Sequence, residues 1–296
     1  MMSAEFAIHL ERSILWACRL EVLAEKPGNV HPRASFEDLT CGDFLRSAEL
    51  IAPVLARTSE LGIGGGILSA VTATRAAVGT NTNLGMILLI APLAAVKQES
   101  TLKGGVSSAL RDLSVQDAVD VYEGIRRAQP GGMGDVSEQD VSRRPTVTLL
   151  EAMSLAAERD SIARQYATDY SLVFEGVEFL RQNVRDFSRD WNEEIVRLAI
   201  WLQAGTPDSL ILRKCGGAVA DEGARRAGEV LKVWDDPIVR RSVLADFDGW
   251  LRADGHRRNP GTTADLTAAI LFAAFRDRIF SLPESWSNIP EMGLRQ

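Results

Sequence analysis

Apolar and small side chains recur at helical spacing along almost the whole chain. Near the N-terminus they recur every three or four residues with charges between them, which predicts an amphipathic helix over 4–25, ended by Pro27-Gly28. The same spacing predicts further helices over 41–57, 67–78, 83–97, 104–111, 115–128, 147–157, 159–187 with a break, 191–203, 208–214, 217–232, 236–253 and 262–281. Strand-type alternation is nearly absent. We therefore predict an all-α fold, a single compact multi-helix array.

Residues between these segments predict where helices begin and where the chain turns. Thr40 and Ser114 are expected N-caps, and Asp43 follows Thr40 in the manner of a capping box. Residues 61–66 are rich in glycine and predict a flexible turn. Residues 129–145 form a long loop rich in Gly, Pro and Ser, and such loops are usually functional or disordered. We predict one domain over 1–296. If that domain has two lobes, the loop at 129–145 is where they divide.

Net charge, the length of the most apolar segment and the cysteine pattern exclude several classes of protein function. A net charge of −7 leaves no basic excess for a nucleic-acid or anionic-membrane surface. The most apolar segment, within 83–97, is too short to span a bilayer, and it fits a domain core or a homodimer interface equally well. Three scattered cysteines, without a CxxC pair, predict buried thiols in a reducing cytoplasm, and we find no signal peptide.

Two short runs place polar side chains and glycines at helix ends. Residues 26–32 read Lys-Pro-Gly-Asn-Val-His-Pro, and residues 79–85 read Gly-Thr-Asn-Thr-Asn-Leu-Gly before the apolar helix. Because helix N-termini bind phosphate through free amides and the macrodipole, these corners indicate a nucleotide site between helices. The simpler interpretations are a Pro-Gly helix stop and a plain N-cap, which needs only one of the polar side chains.

Two later runs carry carboxylates and an arginine. Asp208 and Arg213 lie five residues apart in the run 206–217, and Asp265 follows Asn259-Pro260-Gly261 in the first turn of a helix. Arg213 suits a phosphate, and Asp265 suits Mg²⁺ on a triphosphate. Taken alone, an N-cap at Asp208 and an arginine that compensates the helix dipole explain the first run more simply. Asp160 and Arg164 share one helix face and form either part of the site or a surface ion pair.

Together, in this order, the four runs resemble the triphosphoribosyl-dephospho-CoA synthase family. Its patterns are K-P-G-x-V, N-T-H-K-G, T-x-D-x-x-x-x-R-x-G-G and P-G-G-x-A-D-L. The resemblance implies a pentosyltransferase that moves the triphosphoribosyl group of ATP to the ribose 2′-hydroxyl of 3′-dephospho-CoA and releases adenine. The chain departs from the family at His31, where an acidic residue is usual, and at Asn83-Leu84, where His-Lys is usual.

The resemblance also implies roles for individual residues. An oxocarbenium-like transition state needs a carboxylate near the anomeric carbon, for which the carried-over candidates are Asp38, Asp208 and Asp265. Asp38 lies in residues 35–40, which match the family's acidic H-x-D-M-D-like stretch after K-P-G-x-V. Asp38 and Asp265 are also the expected Mg²⁺ ligands. The predicted nucleotide- and phosphate-binding residues are Lys26, Gly28, Asn29, Asn81, Thr82, Asn83, Gly85 and Arg213.

Three alternatives remain open at this stage. A relative with another acceptor would belong to tetrahydromethanopterin-linked one-carbon cofactor synthesis. A nucleotide N-glycosidic hydrolase would replace the acceptor hydroxyl with water and release adenine without any acceptor. A non-catalytic helical binding module would bind no nucleotide, and substitution of Asp38 or Asp265 would then be silent.

Overall fold

Fifteen α-helices and one short extended segment make up the residues that the computed structural model describes, which are 2–130, 138–184 and 186–283. In chain order they are α1 (Ala4–Leu23), α2 (Cys41–Leu55), α3 (Thr58–Leu61), α4 (Ile63–Val78), α5 (Leu84–Ala94), α6 (Leu102–Arg111), α7 (Val115–Ala128), α8 (Leu149–Ala156), α9 (Ser161–Ala167), α10 (Ser171–Asn183), α11 (Phe187–Gly205), α12 (Ser209–Cys215), α13 (Gly217–Lys232), α14 (Pro237–Arg252), β1 (Ala253–His256) and α15 (Gly261–Arg276). The predicted all-α class is confirmed.

Helix α5 lies at the centre of the larger hydrophobic core. All of its residues from Leu84 to Ala94 are buried, and α4, α6 and α15 pack around it. Its uniform apolarity follows from burial on every face. The predicted helix 83–97 therefore serves as core of the chain itself. No helix in the described part of the chain combines the length and apolarity needed to cross a membrane.

A smaller hydrophobic cluster is formed by α11, α12, α13 and α14, with Ile200, Val230 and Phe247 at its centre. Helix α11 belongs to both clusters, because its Ile195 and Leu198 pack into the larger core while Ile200 packs into the smaller one. The two clusters thus share the part of α11 that follows its kink at Asp190.

The glycine-rich run 61–66 is a helix start, and our expectation of a flexible turn is wrong there. Within this run the helical conformation is interrupted only at Gly62, which has φ +77°, and α4 begins at Ile63. A Cβ at Gly64 would lie 2.5 Å from Cα of Asp117, so this glycine lets α4 approach the backbone of α7. Close helix packing, which local sequence does not reveal, explains the glycine.

The predicted caps are confirmed. Thr40 and Ser114 each form a capping box, with Asp43 and Asp117 respectively as the returning acid. The predicted break within 159–187 lies at Asp169 and Tyr170, both in the left-handed region, between α9 and α10. In the loop 129–145, residues 131–137 lie outside the described residues. Cys18 and Cys41 are buried free thiols, whereas Cys215 is partly exposed.

Candidate active site

A cavity of about 910 Å³ opens between the beginnings of α5, α9 and α15 and the end of α12. Its volume suits a small-molecule ligand. The predicted site residues that line it are Asn29, Asp38, Asn81, Thr82, Asn83, Gly85, Arg213 and Asp265. Three others, Lys26, Gly28 and Asp208, are not among the lining residues.

Asp265 lies against the N-terminus of α5. A methyl group at Gly85 would overlap the Asp265 carboxylate, so glycine is needed for this approach. Among the described residues, Asp265 has no hydrogen-bond partner, and the amides of Gly85 and Met86 at the start of α5 have none either. The positive end of the α5 dipole therefore faces a carboxylate, so the N-terminus of α5 is not free to bind a phosphate.

The surroundings of Asp265 disfavour its charge. Burial raises its pKa well above the ordinary value, and the carboxylates of Glu21, Asp208 and Asp160 raise it further, while Arg213 opposes them weakly. A carboxyl group whose pKa is displaced in this way inside a cavity is a candidate for proton transfer.

Lys26 points away from the cavity. Its ammonium group is fully buried, lies 2.9 Å from Oε1 of Glu21, and donates to the backbone oxygen of Glu21 at the end of α1. Lys26 therefore partners Glu21, which does line the cavity. Burial raises the pKa of Glu21, and the charge of Lys26 counters that effect. In this arrangement Lys26 is not available to a phosphate.

Asn29 is held by two later segments of the chain. Its Nδ2 donates to Oδ1 of Asn259 at 2.7 Å and to the carbonyl of Pro260 at 3.4 Å. Its backbone oxygen accepts from Nη2 of Arg252 at 2.7 Å. The loop that follows α1 is thus joined to α14 and to the start of α15.

The residues before α5 have separate contacts. Asn81 accepts from the amide of Leu84 at 3.2 Å, and the hydroxyl of Thr82 lies 2.6 Å from that of Ser47 on α2. Asn83 is buried, and its Nδ2 has no partner among the described residues. Asn83 therefore keeps a buried donor without a partner beside the cavity that it lines.

Both carboxylate oxygens of Asp208 accept hydrogen bonds from within the protein. Its Oδ1 accepts from the amides of Leu210 and Ile211, which caps α12, and its Oδ2 accepts from the amide and hydroxyl of Thr263, at 2.7 and 2.8 Å. This carboxylate ties the starts of α12 and α15 together. Asp208 therefore supports the helix that carries Asp265, and it does not line the cavity.

A cationic wall faces the start of α9. Arg213 forms an ion pair with Asp160, which caps α9, and Lys214 and Arg159 line the same part of the cavity. Arg164 instead donates to carbonyls at the end of the preceding segment, Ala157 and Glu158. The predicted pair of Asp160 and Arg164 is therefore replaced by a pair between Asp160 and Arg213.

Asp38 lies at the exposed mouth of the cavity, without a hydrogen bond or ion pair to any described residue. The rings of Phe36 and His256, which also line the cavity, are in contact at a tilt of 32°, with centroids 4.8 Å apart. Neither Glu21 nor His256 was among the residues that the sequence singled out. No local motif marks them, because each reaches the cavity only through tertiary packing.

The family model of the ATP:dephospho-CoA triphosphoribosyl transferases (CitG) matches residues 7–283. The chain belongs to this family. It is also similar to the crystal structure of a protein from Archaeoglobus fulgidus that is provisionally assigned as a triphosphoribosyl-dephospho-CoA synthase. That match has a TM-score of 0.62 and 25% identity, and it covers 79% of this chain and 99% of the other. No curated protein matches the sequence.

Members of a triphosphoribosyl transferase family handle a triphosphate, so the fit of Mg²⁺ can be tested on the residues present. No group of three metal-ligating side chains occurs within 2–130, 138–184 and 186–283. Asp38 and Asp265 both offer carboxylate oxygens to the cavity without a protein donor. Since Mg²⁺ commonly takes one or two carboxylates plus phosphate oxygens and waters, either residue fits the ion when the substrate supplies the other ligands.

Proposed function

We propose that this protein transfers the triphosphoribosyl group of ATP to a ribose 2′-hydroxyl of 3′-dephospho-CoA, with release of adenine. The observation that carries the proposal is the unpartnered carboxylate of Asp265 at the start of α5, inside a cavity large enough for a nucleotide. Membership of the transferase family supports the same reaction class.

The proposed reaction exchanges one bond at the ribose for another. The bond from C1′ to the adenine nitrogen breaks, and the acceptor hydroxyl oxygen forms a new bond to C1′. The proton lost by the hydroxyl equals the proton gained by adenine, so no other reactant is needed. We assign Asp265 to C1′. The positive charge that develops at C1′ favours the ionised form of Asp265, and the carboxylate then stabilises oxocarbenium character and accepts the hydroxyl proton.

The triphosphate belongs, in this proposal, to the cationic wall of Arg159, Arg213 and Lys214. Asp38 at the mouth would hold Mg²⁺, which when bound supplies positive charge to the phosphate oxygens. This division follows from position, because Asp38 is exposed whereas Asp265 lies deep against Gly85. Glu21 stays paired with Lys26 and contributes negative potential beside the reacting ribose.

The test is incubation of the purified protein with ATP, Mg²⁺ and 3′-dephospho-CoA, followed by mass spectrometry for adenine and for the adduct. Adenine and adduct in equal amounts are the expected result, and D265A is expected to abolish both. Adenine without adduct in the presence of acceptor would instead favour the hydrolase. Absence of nucleotide binding, with D38A and D265A silent, would favour a binding module.

A second acceptor class is favoured by one observation. Leu84, which stands where the family pattern has lysine, is buried and lines the cavity, so an apolar surface replaces a cation there. An acceptor with less negative charge than dephospho-CoA would suit that wall. Pterin-type acceptors, added to the same assay, test this alternative when dephospho-CoA yields no adduct.

A further inference from the structure

Asn29, which lies in the wall of the cavity, carries a buried hydrogen-bond acceptor without a partner. The residue is only 5% exposed, and its Oδ1 has no partner among the described residues. Asn29 also lines the cavity. A buried acceptor without a partner costs free energy, which a ligand donor recovers on binding.

The orientation of this amide is fixed by its neighbours. The carbonyl of Pro260 carries no hydrogen, so the group of Asn29 that faces it must be the NH₂. The same NH₂ lies 2.7 Å from Oδ1 of Asn259. The oxygen of Asn29 is consequently the atom that remains unpaired.

The backbone of Asn29 is fixed from the other side by α14. Arg252 donates to its carbonyl and is itself held by both oxygens of Asp248, at 2.8 and 2.9 Å. Asp248 also accepts from the amide of Gly28 at 2.7 Å. Gly28 has φ +75°, and a Cβ there would lie 2.8 Å from Leu251, so the turn is built for this contact.

We infer that Asn29 accepts a hydrogen bond from a ribose hydroxyl of the bound nucleotide, and that Asp248 and Arg252 are positioning residues for this contact. The inference rests on the proposed function and adds a subsite to it. It also narrows the nucleotide- and phosphate-binding role that we expected of Asn29 to the ribose, because an ionised phosphate has no proton to donate to an amide oxygen.

The position along α15 favours the ribose over other parts of a nucleotide. Pro260, which faces the Asn29 amide, is the residue before α15, and Asp265 lies near the start of that helix. The ribose hydroxyls are one and two carbons from C1′, so a ribose whose C1′ lies at Asp265 carries them near the start of α15, where Asn29 is held.

Calorimetric titration of ATP in the absence of acceptor tests the inference without turnover. The ligands are ATP, 2′-deoxy-ATP, 3′-deoxy-ATP and the triphosphate of purine riboside, which lacks the amino group. We expect the wild type to bind one deoxy analogue about 5- to 10-fold more weakly than ATP. N29A is expected to bind ATP as weakly as that analogue, with no further loss for the analogue itself.

Further variants separate contact from folding. N29D keeps an oxygen towards the cavity and should retain discrimination between the hydroxyl and deoxy ligands. N183A is the matched control, since Asn183 donates only to Phe179 at the end of α10, away from the cavity, and it should keep wild-type affinities. R252Q should reduce the discrimination and R252K should restore part of it, which a mere change in thermal stability would not produce.

The outcomes are distinct. Full discrimination in N29A would overturn the inference, and coupling of Asn29 to the purine amino group would overturn its assignment to the ribose. If ATP binds, and adenine and adduct form in the assay with 3′-dephospho-CoA, but no coupling to Asn29 occurs, the inference fails and the proposed function stands. If ATP does not bind the wild type, both fail.

Discussion

At the scale of single residues, the contact between Gly85 and Asp265 is the sharpest feature of the site. We predict that G85A lowers the rate of adenine release at least tenfold, because the added methyl displaces the Asp265 carboxylate. G228A is the control, since nothing lies within 4 Å of a Cβ at that position in α13. It should leave activity unchanged and raise stability by about 0.5–1 kcal/mol. Equal activity of both variants would contradict a role for this contact.

Asp265 should also limit stability. Since its folded pKa is raised, its favourable contribution is present below the ordinary carboxyl pKa near ~4 and is lost as pH rises through the raised value. We therefore predict that D265N, measured without nucleotide, increases the free energy of unfolding at pH 8 and flattens its dependence on pH, while abolishing activity. Denaturant titrations across pH provide the measurement. D246N, at an exposed position on α14, is the control and should leave the free energy of unfolding at pH 8 and the activity unchanged. A less stable D265N would contradict this account.

Lys26 offers a test between phosphate binding and internal pairing. K26M leaves Glu21 buried without its cation, and we expect a loss of about 3–5 kcal/mol in the free energy of unfolding. The double variant E21Q/K26M should recover much of that loss. K232M, which breaks an exposed pair with Glu229, should cost less than about 1 kcal/mol. If K26M were as stable as the wild type but bound ATP weakly, Lys26 would be a phosphate ligand after all.

The sequence predicted the site incompletely for a physical reason. Helix-end motifs locate residues whose neighbours in the chain matter, so Asn29, Asn83, Gly85 and Asp265 could be selected, and all reach the cavity. The direction of a side chain is decided by tertiary packing. The side chains of Lys26 and Asp208 are therefore buried in the protein interior, although they lie in equally polar runs. Glu21, on an ordinary helical face, lines the cavity.

At the scale of elements, helix positions followed from periodicity and caps, whereas the packing between helices did not. The box of Ser114 and Asp117 begins α7 as expected, and Asp117 also accepts from the amide of Gly64 at 2.8 Å. That second contact joins helices far apart in sequence. It explains why the glycine-rich run begins α4 and does not form a flexible turn. Sequence periodicity contains no information about which helix approaches which.

Adjacent glycines in α4 make this packing testable. A Cβ at Gly64 would meet the Asp117 backbone at 2.5 Å, whereas a Cβ at Gly65 would meet nothing within 4 Å. We predict that G64A lowers the free energy of unfolding by about 1–3 kcal/mol, since backbone cannot move aside as a side chain can. G65A should raise it by about 0.5–1 kcal/mol. Urea denaturation of the two variants measures the difference, and similar values for both would show that α4 and α7 are not in close contact.

At the scale of the whole molecule, the two hydrophobic clusters are coupled by shared parts. Helix α11 contributes to both, and Asp208 joins α12 of the smaller cluster to α15 of the larger one. The cavity depends on the same connection, because Asn29 follows α1 while its backbone is held from α14. Separation of the clusters would open the site.

This coupling predicts that the protein unfolds as one cooperative unit, consistent with the single domain that we expect over 1–296. V230A removes buried side-chain volume only from the smaller cluster, and we expect it to cost about 1–3 kcal/mol in the free energy of unfolding. In scanning calorimetry it should move one whole transition to lower temperature, with calorimetric and van't Hoff enthalpies equal in both proteins. ATP with Mg²⁺ should raise that same transition, since a ligand stabilises every part that must be folded to bind it. A second transition in V230A, with the first unmoved, would mean that the clusters unfold independently and that the contacts between Asn29 and α14 are too weak to couple them.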